Sequence, residues 1–399
     1  MTLYASAHRL TACCIVSFLL ALGGCGSGSS GGGAADPLVA GPYPVGVTRI
    51  ELHDDARDRT LLTEVWYPAA ESVRGEPPAS FASYLPPEFA ALAANATVPL
   101  VAVRDVPIAA GGPFPLIAFS HGSGGIRFQN TFQMEHLASH GFVVVAPDHQ
   151  GNTIFDNSGN TAELAVARPL DIRFVLDEFS QFTAEPGNPF AGWIDTSKKF
   201  GVTGHSFGAY TSIAVASQDE RIAAALPMAF GGPVSTTYTA ATLLLLATED
   251  HTIGQNGNQG IRQTFAQLPG PRFLGEVVDA GHYSFTISCQ TGLGIGDGDG
   301  CKDGTRLADG SSFTFTSDMR VWGIVDGYSA ALFGRYINGI EQYDETLVSN
   351  IDPEVLRYTA EPEGGPVGPA AATASLTLLG KTPPTLRHWL GTRSVPELR

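Results

Sequence analysis

The 399-residue sequence is poor in basic residues, because 23 Lys and Arg stand against 39 Asp and Glu and give a net charge of −16. A surface of this sign repels a phosphate backbone, so the composition argues against nucleic acid as a partner. Only 16% of the residues are charged and 43% are hydrophobic, which excludes a disordered chain. Five Cys are too few for a disulfide-scaffolded protein. The length allows one large domain or two ordinary ones.

The N-terminal apolar run, residues 12–22, is too short to span a bilayer as a mature helix, which requires about 20 apolar residues. It has the length of a signal-peptide core and ends in LGGC at Cys25, which resembles a bacterial lipobox. We therefore predict a lipoprotein signal peptide over residues 1–24, a lipid on Cys25 and a Gly/Ser-rich tether over residues 25–40. An ordinary secretory signal is the alternative. The expected location is the bacterial cell envelope, with the exported protein anchored to a membrane.

Export also bears on the two cysteines of the C-terminal half, Cys289 and Cys301. An oxidising compartment favours a disulfide between them. The sequence GDGDGCKDG offers the carboxylates of Asp297, Asp299 and Asp303 to a metal ion instead. It lacks the Glu at the distance that an EF-hand-type calcium loop requires, so the disulfide is favoured and no metal is expected.

Between residues 41 and 349, short segments that are apolar throughout alternate with amphipathic segments. This alternation predicts an α/β domain in which a mostly parallel sheet is covered on both faces by helices. Two β-type runs within residues 47–66 predict an antiparallel hairpin at its start. Residues 350–399 form a tail rich in Pro, Gly, Ala and Thr that the pattern leaves unassigned. The expected buried strands lie at residues 114–120, 142–146, 200–202, 222–226, 243–247 and 273–278, and the expected helices at 129–140, 169–182, 211–217 and 318–340.

The pentapeptide GHSFG at residues 204–208 fits the G-x-S-x-G motif and stands between an expected strand and an expected helix. That context is typical of a nucleophile elbow, a sharp turn that exposes the Ser. The Ser hydroxyl needs a base and an orienting acid, which follow in the chain order Ser, Asp, His in this fold. Each of two expected strands ends just before such a residue. We predict Ser206 as nucleophile, Asp250 as acid and His282 as base, with Glu249 as the competing acid.

The oxyanion of an acyl-transfer intermediate needs two backbone N–H donors. One belongs to the residue after the nucleophile, Phe207, and the other to the loop that follows an earlier strand. That loop reads SHGSGG at residues 120–125, and we choose Ser123 as the donor with Gly122 as the alternative. His121 is expected to fix the loop. The third Gly of a dinucleotide-binding loop is missing, so these glycines do not predict a nucleotide cofactor.

Four sequence runs, FSHGSGG, HLASHGFVVVAPDHQGN, GVTGHSFGAYTS and DAGHYSF, resemble bacterial serine hydrolases grouped with dienelactone hydrolases and plasma-type platelet-activating-factor acetylhydrolases. The resemblance covers residues 41–345. It implies an α/β-hydrolase fold and ester hydrolysis without a metal or organic cofactor. It also implies Ser206 as nucleophile, His282 as base, and Phe207 and Ser123 as oxyanion donors.

The sequence departs from both groups at one position each. The acetylhydrolases take their acid from the strand after the elbow helix, but residues 225–230 contain no acid here. Asp250, one strand later, therefore takes the role, as in dienelactone hydrolases. Those enzymes typically use a Cys nucleophile, whereas this chain has Ser206. Neither group's substrate is transferred to this protein.

The resulting hypothesis is an exported, lipid-anchored serine hydrolase that cleaves carboxylic esters through an acyl-enzyme. Its expected partners are a small-molecule or lipid ester, with short-chain esters, phospholipid acyl groups and polyesters as candidates, and a membrane through Cys25. One alternative is an acyltransferase or peptidase with the same triad, and another is a catalytically inactive surface-binding module. Residues 70–112 and 152–168 are expected to form the walls or a lid of the site.

Overall fold

The computed structural model describes residues 34–365, and their strands and α-helices alternate along most of the chain. The strands are β1 Val45–Asp54, β2 Arg59–Pro68, β3 Val103–Arg104, β4 Leu116–Ser120, β5 Val143–Pro147, β6 Phe200–His205, β7 Ile222–Met228, β8 Ala241–Ala247, β9 Arg272–Val277, β10 Asp303–Thr305, β11 Ser312–Thr314 and β12 Leu356–Glu361. The α-helices are α1 Thr131–Ser139, α2 Thr161–Phe182, α3 Phe207–Ala216, α4 Gly254–Gln267, α5 Asp318–Tyr336 and α6 Asp344–Val348.

Ten of these strands form one sheet in the order β12-β9-β8-β7-β6-β4-β5-β2-β1-β3. The six neighbouring strands β5, β4, β6, β7, β8 and β9 are parallel to one another. At the two ends of this group, β2 pairs with β5 and β12 pairs with β9 in the antiparallel direction. The predicted N-terminal hairpin is β1–β2, paired from Val45 and Pro68 to Asp54 and Arg59. The mostly parallel sheet that the alternation of segments predicts is therefore confirmed.

Apolar helices cover both faces of the sheet because successive residues of each buried strand point to opposite sides. In β4, Ile117 belongs to a core cluster with residues of α1 and α5, whereas Leu116 belongs to a second cluster with residues of α2, α3 and α4. Strands buried on two faces need to be largely apolar, as β8 is with its run of four leucines. This explains why the strands read as continuous apolar runs.

Helix α2 begins at Thr161, eight residues before the expected start at 169. Asn160 caps it, because its side chain accepts hydrogen bonds from the N–H groups of Ala162 and Glu163 at 2.9 and 3.4 Å. Pro169 lies inside the helix, where a sequence reading places a boundary. Residues 161–168, expected in a wall or lid, are therefore the first two turns of a helix.

The sheet also continues beyond residue 349, since β12 pairs with β9 from Leu356 opposite Val277 to Glu361 opposite Arg272. At the other end, the carbonyl of Pro37 accepts a hydrogen bond from Nε2 of His136 at 3.0 Å. The predicted signal peptide, the lipid site Cys25, most of the tether and residues 366–399 of the tail lie outside the described residues. Within residues 34–365, no helix has the length and the apolar character that crossing a membrane requires.

Parallel strands bring their carboxyl ends to one edge of the sheet, and the loops that carry the candidate site residues all start there. The SHGSGG segment begins at the end of β4, Ser206 follows β6, Asp250 follows β8, and His282 follows β9. The connection from β9 to α5 is long and contains the β10–β11 hairpin together with a disulfide between Cys289 and Cys301.

We expect this disulfide to contribute about 2–4 kcal/mol to the free energy of unfolding, because it closes a loop between residues 12 apart in sequence. The double variant Cys289→Ser/Cys301→Ser should unfold at lower urea concentration than the wild type. Reductant should lower the wild-type midpoint to that of the double variant and leave the double variant unchanged. Two free thiols in the unreduced, denatured protein would contradict the pairing.

Candidate active site

The turn between β6 and α3 holds Ser206 in a backbone conformation that L-residues rarely adopt, with φ 56° and ψ −117°. Its N–H donates to the carbonyl of Met228 on the neighbouring strand at 2.8 Å, which fixes the turn from the strand side. A strained residue at the carboxyl edge of a parallel sheet, followed at once by a helix, is the geometry of a nucleophile elbow.

The two glycines of the G-x-S-x-G motif permit this turn because the backbone passes too close for a side chain. A Cβ on Gly208 would lie 1.7 Å from the carbonyl oxygen of Ser120, at the end of β4. A Cβ on Gly204 would lie 2.4 Å from the carbonyl oxygen of Gly208. Helix α3 therefore rests directly against the end of β4, and this contact brings Ser206 beside the SHGSGG loop.

The loops after β8 and β9 bring Asp250 and His282 together. Oδ2 of Asp250 lies 2.7 Å from Nδ1 of His282, and Oδ1 accepts the N–H of Ile253 at 2.9 Å. Both side chains are buried, with Asp250 at 0% and His282 at 3% exposure. With Nδ1 directed to the carboxylate, the other ring nitrogen of His282 is the one left for proton transfer. His282 and Ser206 line the same cavity.

Glu249, the competing acid, faces away from His282. Its carboxylate accepts the N–H of Leu307 at 2.7 Å and lies 3.2 Å from Nη1 of Arg306. These hydrogen-bond partners separate the two adjacent acids. The structure thus pairs His282 with Asp250 and ties Glu249 to the β10–β11 hairpin.

The surroundings of His282 favour its protonated form. Burial by itself lowers the pKa of an imidazole, but the Asp250 carboxylate and the nearby Asp299 carboxylate outweigh it, so the pKa of His282 is raised. The neighbouring His205, whose ring centroid lies 4.6 Å away, has its pKa lowered well below the ordinary value by burial. A positive charge is therefore stabilised on His282 and disfavoured on His205.

The SHGSGG loop presents the N–H of Ser123 through the orientation of one peptide group. The carbonyl of Gly122 accepts hydrogen bonds from Nδ1 of His121 at 2.7 Å and from the N–H of Gly125 at 3.0 Å. In a trans peptide the Ser123 N–H points opposite to that carbonyl. The N–H of Gly122, the alternative donor, instead donates to Oε1 of Gln129 at 3.0 Å. The geometry favours Ser123 over Gly122.

Phe207 opens helix α3, so its N–H belongs to the first turn, where no intrahelical acceptor exists. Beneath it lies Arg168, a fully buried residue that the motif analysis missed. The Arg168 guanidinium stacks over the Phe207 ring at 4.5 Å and donates to the His121 carbonyl and, at 2.9 Å, to Oγ of Ser120. It thus supports both candidate oxyanion donors from below. No local signal marks it, since it is one of several charged residues in helix α2.

A second chain of Ser, His and Asp is buried under the same loop. Oγ of Ser120 lies 2.9 Å from Nε2 of His149, and Nδ1 of His149 lies 2.9 Å from Oδ2 of Asp171. Its surroundings give it a different character, because burial and the nearby Arg168 guanidinium lower the pKa of His149 to about 4. All three residues are buried and none lines the cavity, so this chain holds the fold rather than meeting a ligand.

The cavity at the carboxyl edge has a volume of about 330 Å³ and mostly apolar walls. It is lined by residues of the 70–112 segment, of the SHGSGG loop and of the β9–α5 connection, and no Lys or Arg of the described residues lines it. Phe155 belongs to the wall and stacks on Phe89 with ring centroids 4.6 Å apart. Apolar side chains that line the cavity include Phe81, Leu85, Leu92, Phe128, Phe155 and Leu293.

The carboxylates of GDGDGCKDG are engaged with protein groups. Asp297 pairs with Lys302 at 2.6 Å, Asp303 accepts from Thr314 at 2.7 Å, and Asp299 accepts the N–H of His282 at 2.8 Å. Within residues 34–365, no group of three or more His, Cys, Asp and Glu side chains has an arrangement that could hold a metal ion.

Comparison with known proteins places this site in context. Residues 30–158 match a family model described as platelet-activating factor acetylhydrolase, isoform II, and residues 105–291 match one described as PET hydrolase-like. A platelet-activating factor acetylhydrolase from Cavia porcellus is 27% identical over 232 residues, which is 46% of this chain and 53% of that protein. This chain thus matches about half of the relative's length.

A solved structure extends the likeness. A ferulic acid esterase from Streptomyces cinnamoneus superposes with a TM-score of 0.56 at 25% sequence identity, covering 74% of this chain and 91% of the esterase. The matched proteins are all named as carboxylic ester hydrolases, and the predicted α/β-hydrolase fold is confirmed. The chain therefore has an α/β-hydrolase fold and is similar to serine esterases.

Proposed function

We propose that the protein hydrolyses carboxylic esters with Ser206 as nucleophile, His282 as general base and Asp250 as the orienting acid. The observation that carries this proposal is the 2.7 Å contact between His282 Nδ1 and Asp250 at the edge of the cavity that also holds Ser206. The strained turn at Ser206 and the ester-hydrolase relatives support the same function.

In the proposed reaction, Oγ of Ser206 attacks the ester carbonyl while His282 takes the hydroxyl proton. The N–H groups of Ser123 and Phe207 stabilise the resulting oxyanion. The intermediate collapses, the C–O bond to the alcohol breaks, and the alcohol leaves with the proton from His282. Water then attacks the acyl-enzyme, giving its proton to His282, which returns it to Ser206 as the carboxylic acid leaves. Asp250 stabilises the imidazolium in both steps.

The cavity supports neutral esters with a compact apolar group as the substrate class. Its volume is about 330 Å³, and aromatic and aliphatic side chains line most of it. Burying such a group favours binding by roughly 25 cal/mol per Å² of apolar area. No Lys or Arg among residues 34–365 lines the cavity, so a negatively charged acyl chain would find no cation there. Short-chain and aromatic esters fit this description, with phospholipid acyl groups and polyesters as further candidates.

Ser206→Ala should abolish both ester hydrolysis and covalent labelling by a fluorophosphonate, because the attacking oxygen is removed. The measurement is release of p-nitrophenol from esters of increasing acyl length, together with labelling followed by mass spectrometry. Ser212→Ala is a matched control, since this Ser on α3 bonds the Gly208 carbonyl and does not line the cavity. A wild-type protein that takes no label would contradict the proposal and favour an inactive binding module.

Asp250→Asn should lower kcat by on the order of 10⁴-fold, the loss expected when the orienting acid no longer supports the imidazolium. The pH profile gives a second measure. Attack requires neutral His282, so activity falls as pH drops through the raised pKa of that group. In Asp250→Asn the acid limb should move to lower pH. Glu249→Gln should leave kcat and the profile near wild type, and an inverted result would make Glu249 the acid.

We further propose that the protein is exported and held at a membrane by a lipid on Cys25. The support is the sequence alone: an apolar run of signal-peptide length, the segment LGGC, and a Gly/Ser-rich stretch that suits a tether. A tether of this kind would let the cavity reach esters away from the membrane surface.

In a bacterial host, Cys25→Ser should move the protein from the membrane fraction to the soluble fraction and stop incorporation of labelled palmitate. The purified variant should keep wild-type esterase activity, because residue 25 is remote in sequence from every proposed site residue. Equal palmitate incorporation in both proteins would overturn the anchor.

A further inference from the structure

Asp299, in the connection between β9 and α5, contacts the loops of both proposed triad partners. Its Oδ1 accepts the backbone N–H of His282 at 2.8 Å and that of His251 at 3.0 Å. Its Oδ2 accepts the hydroxyl of Thr252 at 2.8 Å. One carboxylate therefore bridges the loop after β8, which carries Asp250, and the loop after β9.

The backbone of the same residue adds a fourth contact, because its carbonyl accepts the N–H of Tyr283 at 2.9 Å. The approach is close: a Cβ on Gly281 would lie 2.3 Å from the carbonyl carbon of Asp299. Cys301, two residues further on, is bound to Cys289. Asp299 is 9% exposed, so water competes little for its oxygens. The segment is thus fixed against His282 on one side and by the disulfide on the other.

On its other side, the His282 backbone is held from the elbow. The carbonyl of His282 accepts a hydrogen bond from Nε2 of His205 at 2.9 Å, and Nδ1 of His205 lies 2.8 Å from Nε2 of Gln129. Asp299 supplies the matching support at the His282 N–H. The base is therefore held at both of its peptide groups.

We propose that Asp299 is a positioning residue for the ester hydrolysis proposed above: its carboxylate joins the Asp250 and His282 loops and adds a negative charge beside the base. It contacts no reacting atom and acts through His282. The inference rests on the proposed function and deepens it.

Four titratable groups face the His282 imidazole. The Asp250 carboxylate is bonded to it, the Asp299 carboxylate raises its pKa further, His205 is kept neutral by burial, and burial raises the pKa of Tyr283 to about 12. Removing the charge of Asp299 therefore lowers the pKa of His282 while leaving the Asp250 contact in place.

The test compares Asp299→Asn, Asp299→Ala and the control Asp303→Asn, an exposed acid near Asp299 that contacts Thr314. Asn keeps an oxygen for the two N–H groups, and its amide can donate to the Thr252 hydroxyl. We expect Asp299→Asn to retain kcat within a few-fold and to shift the acid limb to lower pH.

Asp299→Ala should lower kcat by on the order of 10²-fold, because the base loses its alignment. Asp299 also lines the cavity, so KM reports separately any change in the cavity wall. The control Asp303→Asn should match the wild type in kcat, in KM and in the pH of the acid limb. Thermal unfolding of each variant distinguishes an unfolded protein from a folded one with a misaligned base. If Asp299→Ala does not fold, the pH profile of Asp299→Asn tests the proposal.

The readout is the rate of fluorophosphonate labelling of Ser206 against pH, alongside kcat and KM. If the wild type does not label, the proposed function fails and Asp299 has nothing to position. If the wild type labels and both Asp299 variants share the profile of Asp303→Asn, the function stands and the role of Asp299 is overturned.

Discussion

The contact between helix α3 and the end of strand β4 governs the whole edge of the sheet. The helix approaches so closely that any side chain at residue 208 would overlap the Ser120 carbonyl. This approach forces Ser206 into its positive-φ turn and sets the N–H of Phe207 beside the SHGSGG loop. Two contacts keep Ser206 in this strained conformation. They are the hydrogen bond from its N–H to the Met228 carbonyl and the start of helix α3 at the next residue.

The molecule holds two sets of Ser, His and Asp, and their surroundings distinguish them more than the residue types do. In the buried set, Arg57 and Arg59 each lie 2.7 Å from Asp171. Burial first, and then the Arg168 and Arg59 guanidinium groups, lower the pKa of His149 and favour its neutral form. Around His282, the Asp250 and Asp299 carboxylates outweigh burial and favour the imidazolium. The same three residue types thus give a rigid support in one place and a basic, cavity-facing imidazole in the other.

The sequence predicted what local patterns encode. Strands buried on both faces are largely apolar, and the elbow motif requires its glycines, so the sheet and the position of Ser206 follow from short windows. The start of α2 was not predicted correctly, because Pro169 suggests a helix boundary. The helix in fact begins after its N-cap, Asn160. The strand Leu356–Glu361 escaped because its partner is β9, far away in sequence. Arg168 and Asp299 escaped for the same reason, since long-range contacts alone define their roles. The triad itself stays a prediction for experiment.

The connection between β9 and α5 is bonded to the loop after β8 through Asp299 and through the β10–β11 hairpin. On the inner side, Asp299 bonds the N–H of His251 and the hydroxyl of Thr252. On the outer side, Arg306 lies 3.2 Å from Glu249. The same connection carries the cavity wall residue Leu293. Because one tethered segment lines the cavity and holds the base, a change that reshapes this wall is expected to disturb His282 as well. We expect substrate choice and base alignment to be coupled through this segment, because it carries both Leu293 and Asp299.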